Sequence, residues 1–187
     1  MSQQLDFKQP LIFIRPNILS RDECNDWIGK TKEVGPEVAT INTLGGTAVR
    51  TDIRNNRRVI FEHQELADLL FDRVTANVPE QIHGSTLVGV NERFRCYEYN
   101  KGQYFAPHLD GFFERNPSER SYYTFMVYLN DGFEGGETVF LVEPEKVIKP
   151  STGMALFFQH PIIHTGSEVI SGTKYVLRTD LMYRSGP

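Results

Sequence analysis

The sequence is poor in cysteine and has no excess of basic charge. Its 187 residues include two cysteines, Cys24 and Cys96, which form neither a Cys-x-x-Cys motif nor a disulfide framework. We therefore expect two free thiols, as in a protein of the reducing cytosol. The net charge of −4 and pI of about 5.7 provide no basic field to attract nucleic acid or an anionic membrane.

Long apolar segments are also missing. No run is long enough to span a bilayer, and residues 1–8 lack the pattern of a signal peptide. These absences predict a cytoplasmic location, no membrane partner and no nucleic-acid partner.

The apolar content is sufficient for one core of ordinary size. Hydrophobic residues make up 40% of the chain and aromatic residues 12%, and no internal repeat or low-complexity segment divides it. We predict a single domain over residues 1–187, with residues 1–86 as an N-terminal helical and strand support and residues 87–185 as the core. The sequence leaves the oligomeric state open.

The sequence of the N-terminal part predicts one strand and two helices there. Residues 11–14 are apolar and β-rich, and Pro16 ends that strand. Ser20 and Glu23 form a capping-box pattern, which predicts a helix from there to about Lys32. A second helix is predicted from about residue 63 to residue 77, with one apolar stripe that packs against a sheet. That stripe comprises Leu66, Leu69, Leu70 and Val74.

From Leu87 onward the pattern changes to short β-rich runs separated by Gly, Pro and Asn-Asp turns. The predicted strands cover residues 87–99, 122–129, 138–142, 154–158 and 174–183. Many short strands with frequent turns favour a sandwich or a barrel. We therefore predict a mainly β fold with supporting helices packed on one sheet.

One set of residues has the composition of a metal site. His108 and Asp110 stand two apart, so on a strand both side chains project to the same side. His164 lies far along the chain, and Lys174 follows it by ten residues. Two imidazoles and one carboxylate are the ligand set that holds non-haem Fe(II) and leaves positions open. Lys174 would then offer a cation to a cosubstrate that has a free carboxylate.

Ordinary explanations exist for each part of this pattern. A His-x-Asp pair occurs by chance on many protein surfaces, and single histidines such as His63 or His83 are more often structural. His160 is the rival for the third ligand position, because it precedes His164 by four residues. We favour His164 for its spacing from Lys174, and we expect His160 in the loop entering that strand.

Three further segments stand in a fixed order around these residues. Residues 99–108 read YNKGQYFAPH, residues 135–140 read GGETVF, and residues 149–158 read KPSTGMALFF. With His164 and Lys174 they resemble the prolyl 4-hydroxylase-like branch of the Fe(II)/2-oxoglutarate dioxygenases. The resemblance extends from about residue 87 to residue 183.

The resemblance implies a double-stranded β-helix, or jelly-roll, core. It implies Fe(II) bound by His108, Asp110 and His164. It also implies 2-oxoglutarate as cosubstrate and O2 as oxidant, with ascorbate as an optional reductant. The cosubstrate residues it implies are Lys174, Tyr99, Thr138 and Tyr128.

The expected activity is hydroxylation of a C–H bond with release of succinate and CO2. Related halogenases have a small residue where this chain has Asp110, so hydroxylation is favoured over halogenation, and demethylation remains open. The leading substrate is a prolyl residue of a peptide or protein. The alternatives are a free amino acid or other small metabolite, and a non-catalytic cupin-like metal-binding module. Tyr99 and Lys174 argue against that last alternative, because a module without turnover needs no carboxylate clamp.

Substrate contacts are the least specific prediction. A flexible basic stretch begins at Gly45 and offers Arg50, Arg54 and Arg57 to an acidic group or a peptide backbone. A solvated charged loop is the more ordinary interpretation of that stretch. Arg178 shares a strand face with Lys174, and it either pairs with a buried carboxylate such as Asp180 or Glu168 or contacts a ligand. The segment that includes Phe112 and Phe113 would form another wall of the entrance.

Overall fold

The computed structural model describes residues 4–43 and 46–186, so Gly45 and residues 1–3 lie outside the described residues. Two helices are present, α1 (Arg21–Val34) and α2 (Gln64–Val74), and a 3-10 turn (Thr75–Asn77) follows α2. The strands of the first half are β1 (Ile12–Arg15), β2 (Glu37–Val38), β3 (Ile41–Thr43), β4 (Gly46–Ala48), β5 (Arg57–Glu62), β6 (Gln81–Ile82), β7 (Ser85–Val90) and β8 (Arg93–Asn100). The remaining strands are β9 (Phe105–His108), β10 (Glu114–Asn116), β11 (Glu119–Tyr128), β12 (Glu134–Gly135), β13 (Thr138–Phe140), β14 (Lys146–Ile148), β15 (Ala155–Gln159), β16 (His164–Gly166), β17 (Val169–Ser171) and β18 (Thr173–Ser185). The predicted mainly β class is confirmed.

Helix α1 begins with the predicted capping box. The Ser20 hydroxyl accepts from the Glu23 backbone N–H at 3.2 Å, and the Glu23 carboxylate accepts from the Ser20 backbone N–H at 2.7 Å. The helix ends at Val34, two residues beyond the predicted Lys32, where Gly35 takes a φ of 81°.

Helix α2 buries a slightly different stripe from the one predicted. His63 caps the helix by accepting from the backbone N–H of Leu66 at 3.2 Å. Leu66, Leu70 and Val74 are buried as expected, but Leu69 is exposed. The prediction for Leu69 was wrong because the buried face is rotated towards Ala67, which lies against the core in its place.

A ten-stranded antiparallel sheet forms the larger layer, in the order β1-β15-β11-β18-β8-β5-β2, with β7 also paired to β18. Residues 1–86 contribute four complete strands to this sheet, β1, β2, β5 and β6. The predicted strand over residues 87–99 is in fact two strands, β7 and β8. The chain breaks between them because the Asn91 side chain accepts from the Arg93 backbone N–H at 3.1 Å, which makes a local turn.

A second, four-stranded sheet has the order β14-β13-β16-β9. One apolar cluster joins the larger sheet to both helices and includes Trp27, Leu70 and Phe125. A second cluster draws side chains from both sheets, among them Tyr128 and Phe140. Large antiparallel sheets with an apolar layer between them agree with the jelly-roll prediction.

The two cysteines are free, as predicted, and both are buried. Burial raises the pKa of the Cys24 thiol to about 11 and that of the Cys96 thiol to about 12. Neither helix in the part of the chain that the structure describes is long and apolar enough to cross a membrane.

Candidate metal centre

Pairing within the smaller sheet brings the two predicted metal-binding histidines together. His108 ends β9, His164 begins β16, and the two residues are direct partners in the antiparallel register. Asp110 follows β9 by two residues. Its carboxylate oxygens lie 3.8 Å from Nε2 of His108 and 3.8 Å from Nε2 of His164. One potential ligand atom of each residue lies within 4.8 Å of the others, so the three side chains converge on one point.

Hydrogen bonds to the backbone set the tautomer of both imidazoles. Nδ1 of His108 lies 2.8 Å from the Ala106 carbonyl oxygen, and Nδ1 of His164 lies 2.9 Å from that of Ile162. Because a carbonyl only accepts, each Nδ1 carries the proton and each Nε2 presents a lone pair. Burial, reinforced by the neighbouring His164, lowers the pKa of His108 to about 4. Burial also lowers the pKa of His164. Both rings are therefore neutral, the form that binds a metal.

Asp110 is held as a carboxylate. Burial raises its pKa, but the nearby Arg178 guanidinium and the hydrogen bond from Thr124 oppose this, and the pKa lies well below its usual range. Arg178 Nη2 lies 3.2 Å from one carboxylate oxygen, and the Thr124 hydroxyl donates to the other at 2.7 Å. Two neutral imidazoles and one ionised carboxylate fit the donor set of Fe(II).

His160 lies outside this group, immediately after β15 and fully buried. Thr124 uses its single proton on Asp110, so it must accept the bond of 3.0 Å from Nδ1–H of His160. Nε2 of the same ring then accepts from the Ser121 hydroxyl at 2.8 Å. His160 therefore positions Asp110 through Thr124. The role of Thr124 was not predicted, although a threonine in the middle of a buried apolar strand is a usable sign of a functional hydroxyl.

Three of the four predicted cosubstrate residues, Tyr99, Thr138 and Lys174, line a cavity that we call the inner pocket. It is lined by Tyr97, Tyr99, Phe105, His108, Asp110, Met126, Thr138, His164, Gly166, Lys174, Val176 and Arg178. Lys174 is buried, and its Nζ donates to the Gly136 carbonyl at 2.6 Å. Nζ lies 5.1 Å from the ring centroid of Tyr99. The Tyr128 hydroxyl lies 2.7 Å from that of Thr138, so Tyr128, the fourth predicted residue, contacts the pocket wall without lining the pocket itself.

The inner pocket is narrow, with a volume of about 40 Å³. Met126, one of its lining residues, is unbranched and adaptable, so its side chain can reorient at little cost when a ligand enters.

A second cavity of about 400 Å³, the outer groove, adjoins the inner pocket. The residues that line both cavities are Tyr97, Phe105, His108, Asp110 and Arg178. His108 and Asp110 therefore stand at the junction of the two cavities, whereas His164 and Lys174 line the inner pocket alone. Ile41, Leu109 and Phe112 form apolar walls of the outer groove.

The basic stretch divides between solvent and the outer groove. Arg50 is exposed and pairs with Asp52 at 2.6 Å, and Arg57 is exposed on β5, so neither lines the groove. Arg54 is only 4% exposed. The solvated-loop interpretation was wrong for Arg54, because its guanidinium packs on the Phe105 ring at 4.0 Å and its Nε donates to Asn56.

Arg178 is placed between two buried carboxylates. Besides its contact with Asp110, Arg178 Nη2 lies 3.6 Å from a carboxylate oxygen of Asp180. Asp180 was one of the two partners suggested from the sequence, and the other, Glu168, is exposed on the surface. Its pairing with Asp110 and the presence of Arg58 and Arg95 in the outer groove were not predicted, because they depend on how distant strands are aligned.

The fold and the site are similar to those of a class of proteins, the 2-oxoglutarate-dependent non-haem iron dioxygenases, and in particular to the prolyl hydroxylases. Residues 93–179 match the family model described as 2OG-Fe(II) oxygenase superfamily. The matched residues include the three converging residues of the candidate metal centre. They also include Tyr99, Thr138 and Lys174, so the resemblance predicted from the sequence is confirmed.

Particular relatives are prolyl hydroxylases. The chain is 24% identical to prolyl 4-hydroxylase 1 of Arabidopsis thaliana over 89% of this chain, and it spans 66% of that relative's length. The viral collagen prolyl hydroxylase of Paramecium Bursaria Chlorella virus-1, solved as a 2OG complex, superimposes with a TM-score of 0.68 at 23% identity, covering 94% of this chain and 97% of that one. A Trichoplax adhaerens prolyl hydroxylase, solved with a hypoxia inducible factor peptide fragment, gives a TM-score of 0.67 at 15% identity, covering 91% and 82%.

Proposed function

We propose that this protein is an Fe(II)- and 2-oxoglutarate-dependent dioxygenase that hydroxylates a C–H bond of a peptide or protein, with a prolyl residue as the leading target. The observation that carries the proposal is the convergence of His108, Asp110 and His164 on one point in the wall of the inner pocket, where His108 and Asp110 also face the outer groove. A structural zinc site would normally use four protein ligands. Three ligands leave positions for a cosubstrate and O2.

In this proposal the two imidazole Nε2 atoms and the Asp110 carboxylate would hold Fe(II). Lys174 would pair with the far carboxylate of 2-oxoglutarate by a charge-assisted hydrogen bond. The hydroxyls of Tyr99, Tyr128 and Thr138 would be further donors. When bound, the metal and cosubstrate supply the activation of O2 and the oxidation of the C–H bond, with release of succinate and CO2.

The organisation of the chain belongs to the same proposal. Residues 87–185 would form the catalytic core, and the two helices of residues 1–86 would support the larger sheet from outside. The support for this division is the apolar cluster in which Trp27 and Leu70 pack with Phe125.

The outer groove favours a peptide over a small metabolite. It lies beside the metal ligands and has a volume of about 400 Å³. The Trichoplax adhaerens relative was solved with a peptide. A free amino acid or another small metabolite is the alternative, and it would undergo the same chemistry in the same place.

Anaerobic titration of the Fe(II)-loaded protein with 2-oxoglutarate tests the proposal. We expect the weak visible absorption band of the metal chelate, and we expect it to be lost when Asp110 is replaced by alanine. Mass spectrometry then compares a proline-containing peptide with free proline for the gain of one oxygen atom. Bound iron without the band would contradict the proposal and favour a metal-binding module without turnover.

The affinity for 2-oxoglutarate should fall as the pH rises above about 8. Burial lowers the pKa of Lys174 to about 8, although Glu137 opposes the shift. Below that pH the ammonium is charged and available to the cosubstrate. Above it the amine is neutral, so the dissociation constant should rise about tenfold per pH unit.

Calorimetric titration on both sides of pH 8 measures this dependence. The matched variant is Lys174→Arg, whose guanidinium stays charged throughout and should remove the pH dependence. A wild-type affinity that does not change across this range would show that Lys174 does not pair with the cosubstrate.

A further inference from the structure

The outer groove concentrates positive charge in a chain whose net charge is −4. Among its described lining residues, four are arginines and one, Asp110, is acidic. The four arginines are Arg54, Arg58, Arg95 and Arg178. Asp110 belongs to the candidate metal centre and pairs with Arg178 at 3.2 Å, so Arg54, Arg58 and Arg95 have no acidic partner among the described residues that line the groove.

Strand register forces these guanidiniums together. Arg95 on β8 and Arg178 on β18 are direct cross-strand partners, and Arg58 on β5 is the partner of Tyr97 on β8. Like charges placed directly opposite each other destabilise a sheet. The arrangement therefore needs a compensating negative charge.

The protein supplies only part of that compensation. Asp180 lies 3.9 Å from Arg95 and 3.6 Å from Arg178, both longer than a good hydrogen bond. Buried guanidinium nitrogens of Arg54, Arg95 and Arg178 have no hydrogen-bond partner among the described residues. Burial lowers the pKa of Arg58, and the guanidiniums of Arg54 and Arg95 lower it further, although Tyr97 opposes them. Positive charge thus remains uncompensated in the groove.

We propose that the outer groove recognises a substrate that carries a carboxylate close to the carbon that is oxidised. Guanidiniums bind carboxylates through paired N–H donors, and Ile41, Leu109 and Phe112 would contact the hydrocarbon part. The cosubstrate does not fill this role, since Lys174 serves it on the other side of the metal ligands. This inference rests on the proposed function and narrows its substrate class.

The carboxylate has two possible sources, an acidic side chain of a peptide or a free amino acid. Two matched pairs of probes distinguish them. The first pair is a capped peptide with glutamate on both sides of a central proline and its counterpart with glutamine. The second pair is free proline and prolinamide. Binding is measured by anaerobic calorimetry on protein loaded with Fe(II) and 2-oxoglutarate.

In one of the pairs we expect the member that has the carboxylate to bind at least about tenfold more tightly than its amide counterpart, and we expect high salt to reduce the difference. Tighter binding of the glutamate peptide than of the glutamine peptide would identify the substrate as an acidic peptide. Tighter binding of free proline than of prolinamide would identify it as a free amino acid. Equal affinities within both pairs, or no binding of any probe, would overturn the inference.

Variants of the groove arginines test which side chains cause the preference for a carboxylate. Arg58→Gln and Arg95→Gln should each abolish most of the preference, and Arg58→Lys should retain part of it. Arg57→Gln is the matched control, because Arg57 neighbours Arg58 on β5 but projects to the opposite face. Arg58 is partly exposed, so its replacement is readily tolerated by the fold. A preference that survives in Arg58→Gln and Arg95→Gln would contradict the proposal.

The same samples separate this inference from the proposed function. Binding of Fe(II) and 2-oxoglutarate is measured before any probe is added. Normal cosubstrate binding without a carboxylate preference overturns the groove assignment alone, whereas absent cosubstrate binding overturns the proposed function.

Discussion

Replacing His164 with alanine is expected to weaken Fe(II) binding by more than about 100-fold and to abolish 2-oxoglutarate-dependent turnover. Loss of a residue that merely orients a metal ligand typically weakens metal binding by about 10- to 100-fold, so loss of a ligand should do more. Fe(II) affinity is measured by competition with a chromogenic chelator, and circular dichroism verifies that the apo variant is folded.

His164→Ala is a cleaner test than Asp110→Ala. Removal of the Asp110 carboxylate would leave Arg178 buried without its nearest partner, and an uncompensated buried charge destabilises the fold by about 3–5 kcal/mol. The control is His63→Asn, since asparagine preserves the N-cap of α2 and His63 lies outside the metal group. If the His164→Ala variant binds Fe(II) as tightly as the wild type, the third metal ligand is another residue, and His160 would be the first candidate.

The second large effect is expected from Lys174→Met, which should raise the 2-oxoglutarate concentration needed for half-saturation by about 100-fold or more. A carboxylate buried without its partner costs about 3–5 kcal/mol, and each 1.4 kcal/mol corresponds to about a tenfold change in affinity. Methionine preserves the length and apolar stem of the side chain. Fe(II) affinity should stay at the wild-type value, because Lys174 is not one of the converging ligands.

Titration with 2-oxoglutarate and, separately, with Fe(II) distinguishes these two effects. Lys101→Met makes the same charge change in an exposed turn and should alter neither affinity. If the Lys174→Met variant needs no more 2-oxoglutarate than the wild type for half-saturation, Lys174 does not bind the cosubstrate carboxylate. Arg178 would then be the candidate, because it is the other cation among the described residues that line the inner pocket.

The sequence predicted those parts of the site that follow from local geometry. Alternate side chains share a strand face, which aligned Lys174 with Arg178 on β18. His108 and Asp110 do lie close together, but Asp110 lies two residues beyond the end of β9 and not on the strand. The capping box located the start of α1, and the β-rich runs located most strands of the larger sheet. These features depend on spacing within a single element, so a linear pattern is sufficient to identify them.

Features that depend on contacts between distant strands were not predictable in the same way. The burial of Arg54 depends on the Phe105 ring, which lies about fifty residues away. The arginines of the outer groove face one another only because β5, β8 and β18 pair in one register. The contact of Thr124 with Asp110 likewise joins β11 to the segment after β9. No linear pattern encodes these alignments.

The burial of the two cysteines has a practical consequence. With thiol pKa values of about 11 and 12, thiolate is scarce at neutral pH, and thiolate is the form that reacts with alkylating agents and oxidants. Cys24 and Cys96 also lie within the core, out of contact with solvent. A cysteine introduced at the rim of the outer groove could therefore carry a fluorescent or spin label while both native residues are kept, which would allow substrate entry to be followed in the otherwise unaltered protein.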